Sequence, residues 1–313
     1  MNHHCEFAAS LLAKGGPERE DYPELDAWVA ELGDHLRCGR ISQEELARVI
    51  KVLGDAFSVH TMQGHAFQKP HGYPGDFEII DRIYQRYESS QPHLTKWDRY
   101  WQSHPAAEAV RNRVDYFGEQ LRSHEERKAP DGIRVLNLAS GPGRDMLHFF
   151  RNNPTTRAAI DCVEQDANAI RHAQELCKDH LRKVSFYQRN VLRFQSTRPY
   201  DLIWSAGLFD YFSDKAFVLM LRRLKSMLAP GGEIVVGNFS PINPSRHYME
   251  VFNWVLHHRS PHTLRDLAIR AGFPADSIAI GSEPLGVNLF LHAGPRRAGD
   301  SSGAPLRVAG NHG

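Results

Sequence analysis

The sequence predicts an α/β fold in which a parallel sheet, wound by helical crossovers, follows an all-helical N-terminal segment. Three observations predict it. Before residue 129 the apolar residues recur at the three-and-four spacing of helices. From Ile133 onward short apolar runs alternate with amphipathic stretches, the pattern of right-handed strand–helix–strand crossovers. The first of those runs ends in Gly141-Pro142-Gly143, as a strand does when it enters a turn and then a helix.

With 313 residues the chain has room for one large domain and an extension, or for two small ones. Hydrophobic residues make up 41% and charged ones 24%, which excludes disorder over most of the chain, collagen and coiled coil. Lys and Arg number 38 against 37 Asp and Glu, so a net charge of +1 gives no global field to hold a nucleic acid or an acidic membrane. No apolar run approaches the roughly 20 residues of a membrane span, and the opening MNHHCEFAAS lacks a basic flank before a long apolar stretch. Secretion is therefore not indicated. Cysteines at 5, 38, 162 and 177 form no CxxC pair, which fits a reducing cytoplasm. The partner expected is a small molecule, with no nucleic acid and no membrane span.

In chain order, Leu25, Trp28, Val29, Leu32 and Leu36 predict one helix, and Leu46, Val49, Ile50 and Leu53 a second, opened by a Ser42–Glu45 capping box. Pro70, Gly72, Pro74 and Gly75 forbid a regular element until Asp76 caps a helix through Ile79, Ile80 and Ile83. A helix from Pro105 to Ser123 follows, then a linker. Strands are expected at Arg134–Leu138, Ala159–Glu164, Val184–Tyr187, Tyr200–Ser205 and Glu233–Phe239, with a helix at Ala167–Asp179. Ser213 caps a helix that Pro230-Gly231-Gly232 stops. Asn243-Pro244 opens another reaching His258, and Thr263 caps a shorter one. Two last strands lie at Ser277–Ile280 and Val287–His292.

Glycines directly after a strand let the backbone approach a ligand, and the next helix offers free N–H groups. Glu164 ends the following strand about 20 residues past Gly143, the spacing at which a carboxylate reaches a nucleoside's ribose hydroxyls. A dinucleotide fingerprint would need Gly or Ala at 146, where Met146 stands.

The helix ahead of Ala229-Pro230-Gly231-Gly232, the strand after it and the terminal strand pair resemble the Rossmann-like, seven-stranded class I methyltransferases that use S-adenosylmethionine. The segments KPHGYPGDFEIIDRIY (69–84), AVRNRVDYF (109–117), LNLASGPGRD (136–145), SAGLFDYF (205–212) and GNFSPINPSRHYMEVFNWVLHHR (237–259) further resemble the bacterial 3-hydroxypalmitic acid methyl ester biosynthesis methyltransferases, a quorum-signal group. That resemblance spans residues 40 to 292. It implies a helical cap and substrate lid over 1–128, a methyltransferase domain over 129–293 and a tail at 294–313, whose small, polar composition predicts disorder.

It also implies site residues. Asn137, Ala139, Gly141 and Gly143 fall on the first motif, whose usual form has an acid at 137 and a glycine at 139. Glu164 falls on the ribose carboxylate, Gln165 beside the adenine, Asn190 and Val191 where the adenine amino group is met, and Ser205 on the fourth motif, lining the methyl group and substrate. Tyr73 is expected to close over the sulfonium end. Arg111 and Arg113, two apart on a helix, point to different sides, so Arg113 is taken for the cofactor and Arg111 for solvent. Arg246 suits an anionic acceptor through its planar fork, with His247 beside it. The acceptor expected is the carboxylate of a hydroxy fatty acid or similar acid, which needs no general base because it is ionised at pH 7. An alcohol or amine acceptor would call on His60, His65 or His247. The alternatives are an N- or O-methyltransferase of another small metabolite and a non-catalytic cofactor-binding regulatory protein. No metal is expected, since no HExxH occurs and neither His257-His258 nor His60 with His65 shares one helical face. Trp97, Tyr100 and Trp101 are expected to join the helical segment to the sheet.

Overall fold

The computed structural model describes residues 2–294. The tail expected from residue 294 therefore lies outside the described residues except for Gly294. The contacts divide the chain into two compact units: residues up to Arg111 together with Asn243–Leu256, and Asn112–Ile242 together with His257 onward. The first of these units takes in a segment from far along the chain.

The first unit holds α1 (Asn2–Ala13), α2 (Tyr22–Arg37), α3 (Gln43–Leu53), α4 (Met62–Gln68), α5 (Phe77–Tyr84) and α6 (Thr95–Ser103). Caps set the starts. Ser42 Oγ accepts from Glu45 N–H while Glu45 Oε2 accepts from Ser42 N–H, the reciprocal box read from the sequence. Asp76 Oδ1 accepts from the N–H groups of Glu78 and Ile79 and opens α5. Tyr100 stacks edge-on against Tyr22 and Tyr248, and Trp101 lies against Trp254. These aromatics pack within their own unit, where the sequence reading had them joining the segment to the sheet.

In the second unit β1 (Arg134–Leu138), β2 (Ala159–Glu164), β3 (Val184–Gln188), β4 (Tyr200–Ser205), β5 (Leu228–Phe239), β6 (Ile278–Ser282) and β7 (Asn288–Ala293) form one sheet, ordered β3-β2-β1-β4-β5-β7-β6. β7 alone runs antiparallel, paired with β5 at Gly237↔Phe290 and with β6 at Gly281↔Phe290. This is the seven-stranded Rossmann-like arrangement expected. The central strands are apolar on both sides because both faces are covered. Leu136, Ile203, Ile234 and Leu291 meet Phe217, Leu221 and Leu224 of α10 (Asp214–Lys225) and Leu264 and Leu267 of α12 (Pro261–Arg270). Their neighbours Val135, Leu202, Val235 and Phe290 face the other way, onto Phe117 and Leu121 of α7 (Pro105–Lys128) and Phe149 and Phe150 of α8 (Arg144–Asn152). The last two helices are α9 (Ala167–Leu176) and α11 (Arg246–Val251).

Four expectations are corrected. α10 ends at Lys225, and Pro230-Gly231-Gly232 lies inside β5, where the pairing slips between Tyr200↔Leu228 and Leu202↔Glu233. Gly231, at φ +77°, supplies the turn of that bulge. α11 is shorter than the Asn243–His258 helix predicted, because Asn253 adopts φ +66° and Trp254 N–H closes back onto Met249 C=O. α12 is capped by Ser260, whose hydroxyl accepts from Thr263 N–H, with Pro261 in the first turn. α9 stops at Leu176, short of Asp179. Among the described residues no helix is long and apolar enough to cross a membrane.

Candidate functional site

The strand order reverses direction between β1 and β4, and open α/β sheets bind ligands at the carboxyl ends of the strands flanking such a point. The loop after β1 carries unusual backbone there. Ala139, Gly141 and Gly143 have φ of +51°, +56° and +78°, the left-handed region that suits glycine. At Gly141 nothing lies within 4 Å of where a Cβ would stand, so that backbone faces open space. At Gly143 a Cβ would come within 3.1 Å of Ala173 and Met146, so its bareness serves packing. Gly143 opens α8 without a side-chain cap.

Glu164, at the tip of β2, leans across to this loop. Its Oε2 accepts from Gly141 N–H at 3.1 Å, and its Oε1 from the N–H groups of Gln165 and Asp166 at 2.8 and 3.1 Å. Burial raises its carboxyl above the usual range, against the pull of those three donors.

Arg113, buried on α7, donates from Nη1 to Ala206 C=O at the end of β4, and a Cβ at Gly207 would stand only 3.0 Å from that nitrogen. Two carboxyls within its field have raised pKa values. Burial pushes Asp145 up to about 6, although Met146 N–H and Arg113 favour its charge. Burial likewise pushes Asp210 up to about 7, opposed by Phe239 N–H, Arg113 and Arg259. Two acids held above their ordinary range beside one arginine make a place that a cationic ligand would relieve. One polar atom is left open beside them: Arg113 Nε is buried with no hydrogen-bond partner, an unusual condition for a protein interior.

The structure thus brings Arg113, Asn137, Ala139, Gly141, Gly143 and Glu164 together with the ends of β1, β2 and β4. Ser205 ends β4 fully buried, and its hydroxyl donates to Leu138 C=O, stitching β4 to β1. Gln165 is exposed next to Glu164. Asn190 is exposed after β3, its Oδ1 accepting from Leu192 N–H in a local turn, and Val191 packs partly against the sheet core. Arg111 is not solvated as expected: it lies in the first unit and donates to Gln102 and Glu108. Tyr73 is half-buried in the α4–α5 loop of the same unit. There too, Arg246 is exposed with Nε on Glu250 Oε1 at 2.6 Å, and His247 Nδ1 lies 3.2 Å from the Arg37 guanidinium.

Sequence reasoning missed Asp145, Asp210 and Arg259. Arg259 is buried, donating to Asp214, Asn238 and the Phe209 carbonyl, and so braces the turn that carries Asp210. Asp145 sits two residues past Gly143, and its first-turn position on α8 was the available signal. Asp210 and Arg259 are nearly 50 residues apart in sequence, and no local pattern links them.

Comparison with known proteins gives matches to methyltransferases. Residues 135–232 match the profile of a family described as a methyltransferase domain. Over 148 residues the chain is 30% identical to alpha N-terminal protein methyltransferase 1 of Drosophila melanogaster, a match covering 44% of this chain and 52% of that protein. The chain thus spans about half the length of this curated relative. Among solved structures it is similar to a possible exported protein from Bordetella parapertussis, with TM-score 0.65 at 18% identity over 88% of this chain and 97% of the other. It is also similar to a candidate O-methyltransferase from Nostoc punctiforme, with TM-score 0.50 at 14% identity over 76% and 70%. At these identities the structural likeness is one of fold.

Proposed function

We propose that the protein is an S-adenosylmethionine-dependent methyltransferase that acts on a small carboxylic acid and forms its methyl ester. One observation carries the cofactor half: Glu164 bridges to the open glycine loop, and Arg113 Nε is buried nearby without a partner. These groups fit the cofactor's parts. The Glu164 carboxylate accepts the ribose hydroxyls, the buried Arg113 guanidinium meets the amino-acid carboxylate, and the raised acids Asp145 and Asp210 favour a ligand bearing ammonium and sulfonium charge. When bound, the cofactor supplies an electrophilic methyl group on sulfur. The protein's task is then positioning, holding the nucleophile aligned about 3 Å from that carbon.

The acid acceptor rests on the resemblance to the hydroxy-fatty-acid group and on a carboxylate's independence of a general base. Arg246 stays a candidate for the acid because Glu250 occupies only its Nε. Tyr73 and His247 are acceptor-side candidates from the sequence alone. A second reading, methylation of an amine, is favoured by the name of the Drosophila relative.

Methyl transfer from labelled S-adenosylmethionine to a 3-hydroxy fatty acid, to its amide and to a peptide with a free N-terminus separates the readings. The acid alone is expected to react, at a rate flat from about pH 6 to 8, and more slowly with Arg246→Ala. Equal labelling of the amide, or a limb near pH 6.5 that a histidine variant removes, would overturn the carboxylate assignment. Labelling of the peptide alone establishes the amine reading.

A further inference from the structure

We propose that His65, His71 and Asp76 of the helical unit form a binding site for one divalent transition-metal ion, with zinc the best chemical match. The three residues come from the middle of α4, from the Lys69–Asp76 loop and from the cap of α5, and one potential ligand atom of each lies within 4.8 Å of the others. Their sequence separations fit no helical face, so only the turn of the loop assembles them.

The hydrogen bonding around them is that of a metal site's ligands and supports. His65 Nε2 stands 3.1 and 3.0 Å from the two Asp76 oxygens, and both side chains are almost completely buried. Two atoms that each touch a tetrahedral ion at about 2.0–2.2 Å are about 3.3–3.6 Å apart, so this pair has to open by only a few tenths of an ångström to admit one. Asp76 Oδ1 is committed to the N–H groups of Glu78 and Ile79, whereas Oδ2 has His65 as its partner and can be shared with an ion. The other ring nitrogen of His65 is buried with no partner at all. His71 gives its Nε2 to Glu78 Oε2 at 2.8 Å, and Arg82 fixes the other Glu78 oxygen at 2.5 Å. A carboxylate on one ring nitrogen is how metal-bound histidines are usually oriented, with the opposite nitrogen turned to the ion.

Two imidazoles and one carboxylate suit zinc, with a fourth position for water, or iron(II) and manganese(II); magnesium and calcium prefer oxygen ligands throughout. His71 keeps 21% of its side chain exposed, which gives an ion a way in from solvent. Bound there, the ion ties the Lys69–Asp76 loop to α4 and holds Tyr73 in a fixed setting. A second group, His4, Glu31 and His35, is the natural control, since its atoms also lie close together but Glu31 is solvent-exposed.

The proposal does not depend on the methyl-transfer reading, and its test needs no turnover. Full-length protein, stripped with a chelator, is titrated with Zn²⁺ by calorimetry and with Co²⁺ by visible absorption. One tight equivalent is expected, with the d–d bands of a nitrogen- and oxygen-ligated cobalt and a rise in Tm on adding Zn²⁺. His71→Ala, at a part-exposed position, is expected to bind at least 10-fold more weakly and to lose the Tm rise, Glu78→Gln to weaken binding by a smaller factor, and His35→Ala to match wild type. Absence of saturable binding, unchanged affinity in a folded His71→Ala protein, or loss in His35→Ala instead would each overturn the assignment.

Discussion

The loop from Ala139 to Gly143 and the loop from Lys69 to Asp76 are built from the same parts and finished differently. Both contain proline and left-handed glycines, both hold a non-glycine residue at φ +51°, Ala139 in one and Lys69 in the other, and both lead into a helix. The first ends on Gly143, which offers no cap, and has the buried Arg113 Nε open nearby. The second ends on Asp76, whose Oδ1 caps α5 while both of its oxygens face His65 Nε2. A turn that leaves its helix end unanswered is arranged for a ligand from outside. A turn that answers its helix with its own acid is arranged around that acid.

The strongest test of the difference is Asp76→Ala. It removes a cap and leaves buried His65 Nε2 without an acceptor, so a loss of about 2–4 kcal/mol in unfolding free energy is expected from denaturant melts in metal-free buffer. A loss under about 0.5 kcal/mol would show that α5 does not rely on this carboxylate.

Next in size is Asp145→Asn. Since the folded carboxyl titrates near 6 and the unfolded one near 3.8, the native state binds the proton more tightly. Wild-type protein therefore carries no penalty from this group below the unfolded value and the full penalty once pH has risen through the folded one. In cofactor-free protein the variant should be more stable by about 1–3 kcal/mol at pH 8, with the gain vanishing by pH 4. A pH-independent difference would contradict the burial of that charge.

Gly141→Ala and Gly72→Ala compare the two loops directly. Both positions have positive φ, +56° and +85°, with open space where a Cβ would go, so each should cost about 1 kcal/mol. Only Gly141→Ala should also weaken S-adenosylmethionine binding in calorimetry. An equal effect on affinity from both would erase the distinction drawn here.

The smallest expected effect is a gain. Ala139→Gly places at φ +51° the residue that conformation favours, and should raise stability by a few tenths of a kcal/mol. A lower Tm would mean that the Ala139 methyl group supports the loop.

The sheet was the most legible part of the chain. β1, β2 and β4 fall where their apolar runs lie, since strands covered on both faces write themselves as short runs bounded by polar turns. Caps at Ser42, Asp76 and Ser213 were legible because each bond joins residues two or three apart. The joining of Asn243–Leu256 to the helical unit was hidden, because Tyr248 meets Gln63 and Ser245 meets Ala106 across more than a hundred residues. The helices α4 and α6 are short, and without long periodicity they left no clear pattern. In the candidate site Glu164 and the glycine loop follow from strand ends and spacing. Asp210 and its brace Arg259 do not, since their neighbours are set by how the sheet folds.

The central claim is that Glu164 and the open glycine loop hold S-adenosylmethionine. Titration calorimetry of the cofactor into wild type and Glu164→Ala, each first shown to be folded by its melting transition, tests it most directly. A loss of about 1.5–3 kcal/mol, roughly 10- to 150-fold in Kd, is the predicted result for removing a charged hydrogen-bond acceptor from the ribose. Binding of equal affinity in the two proteins would contradict it.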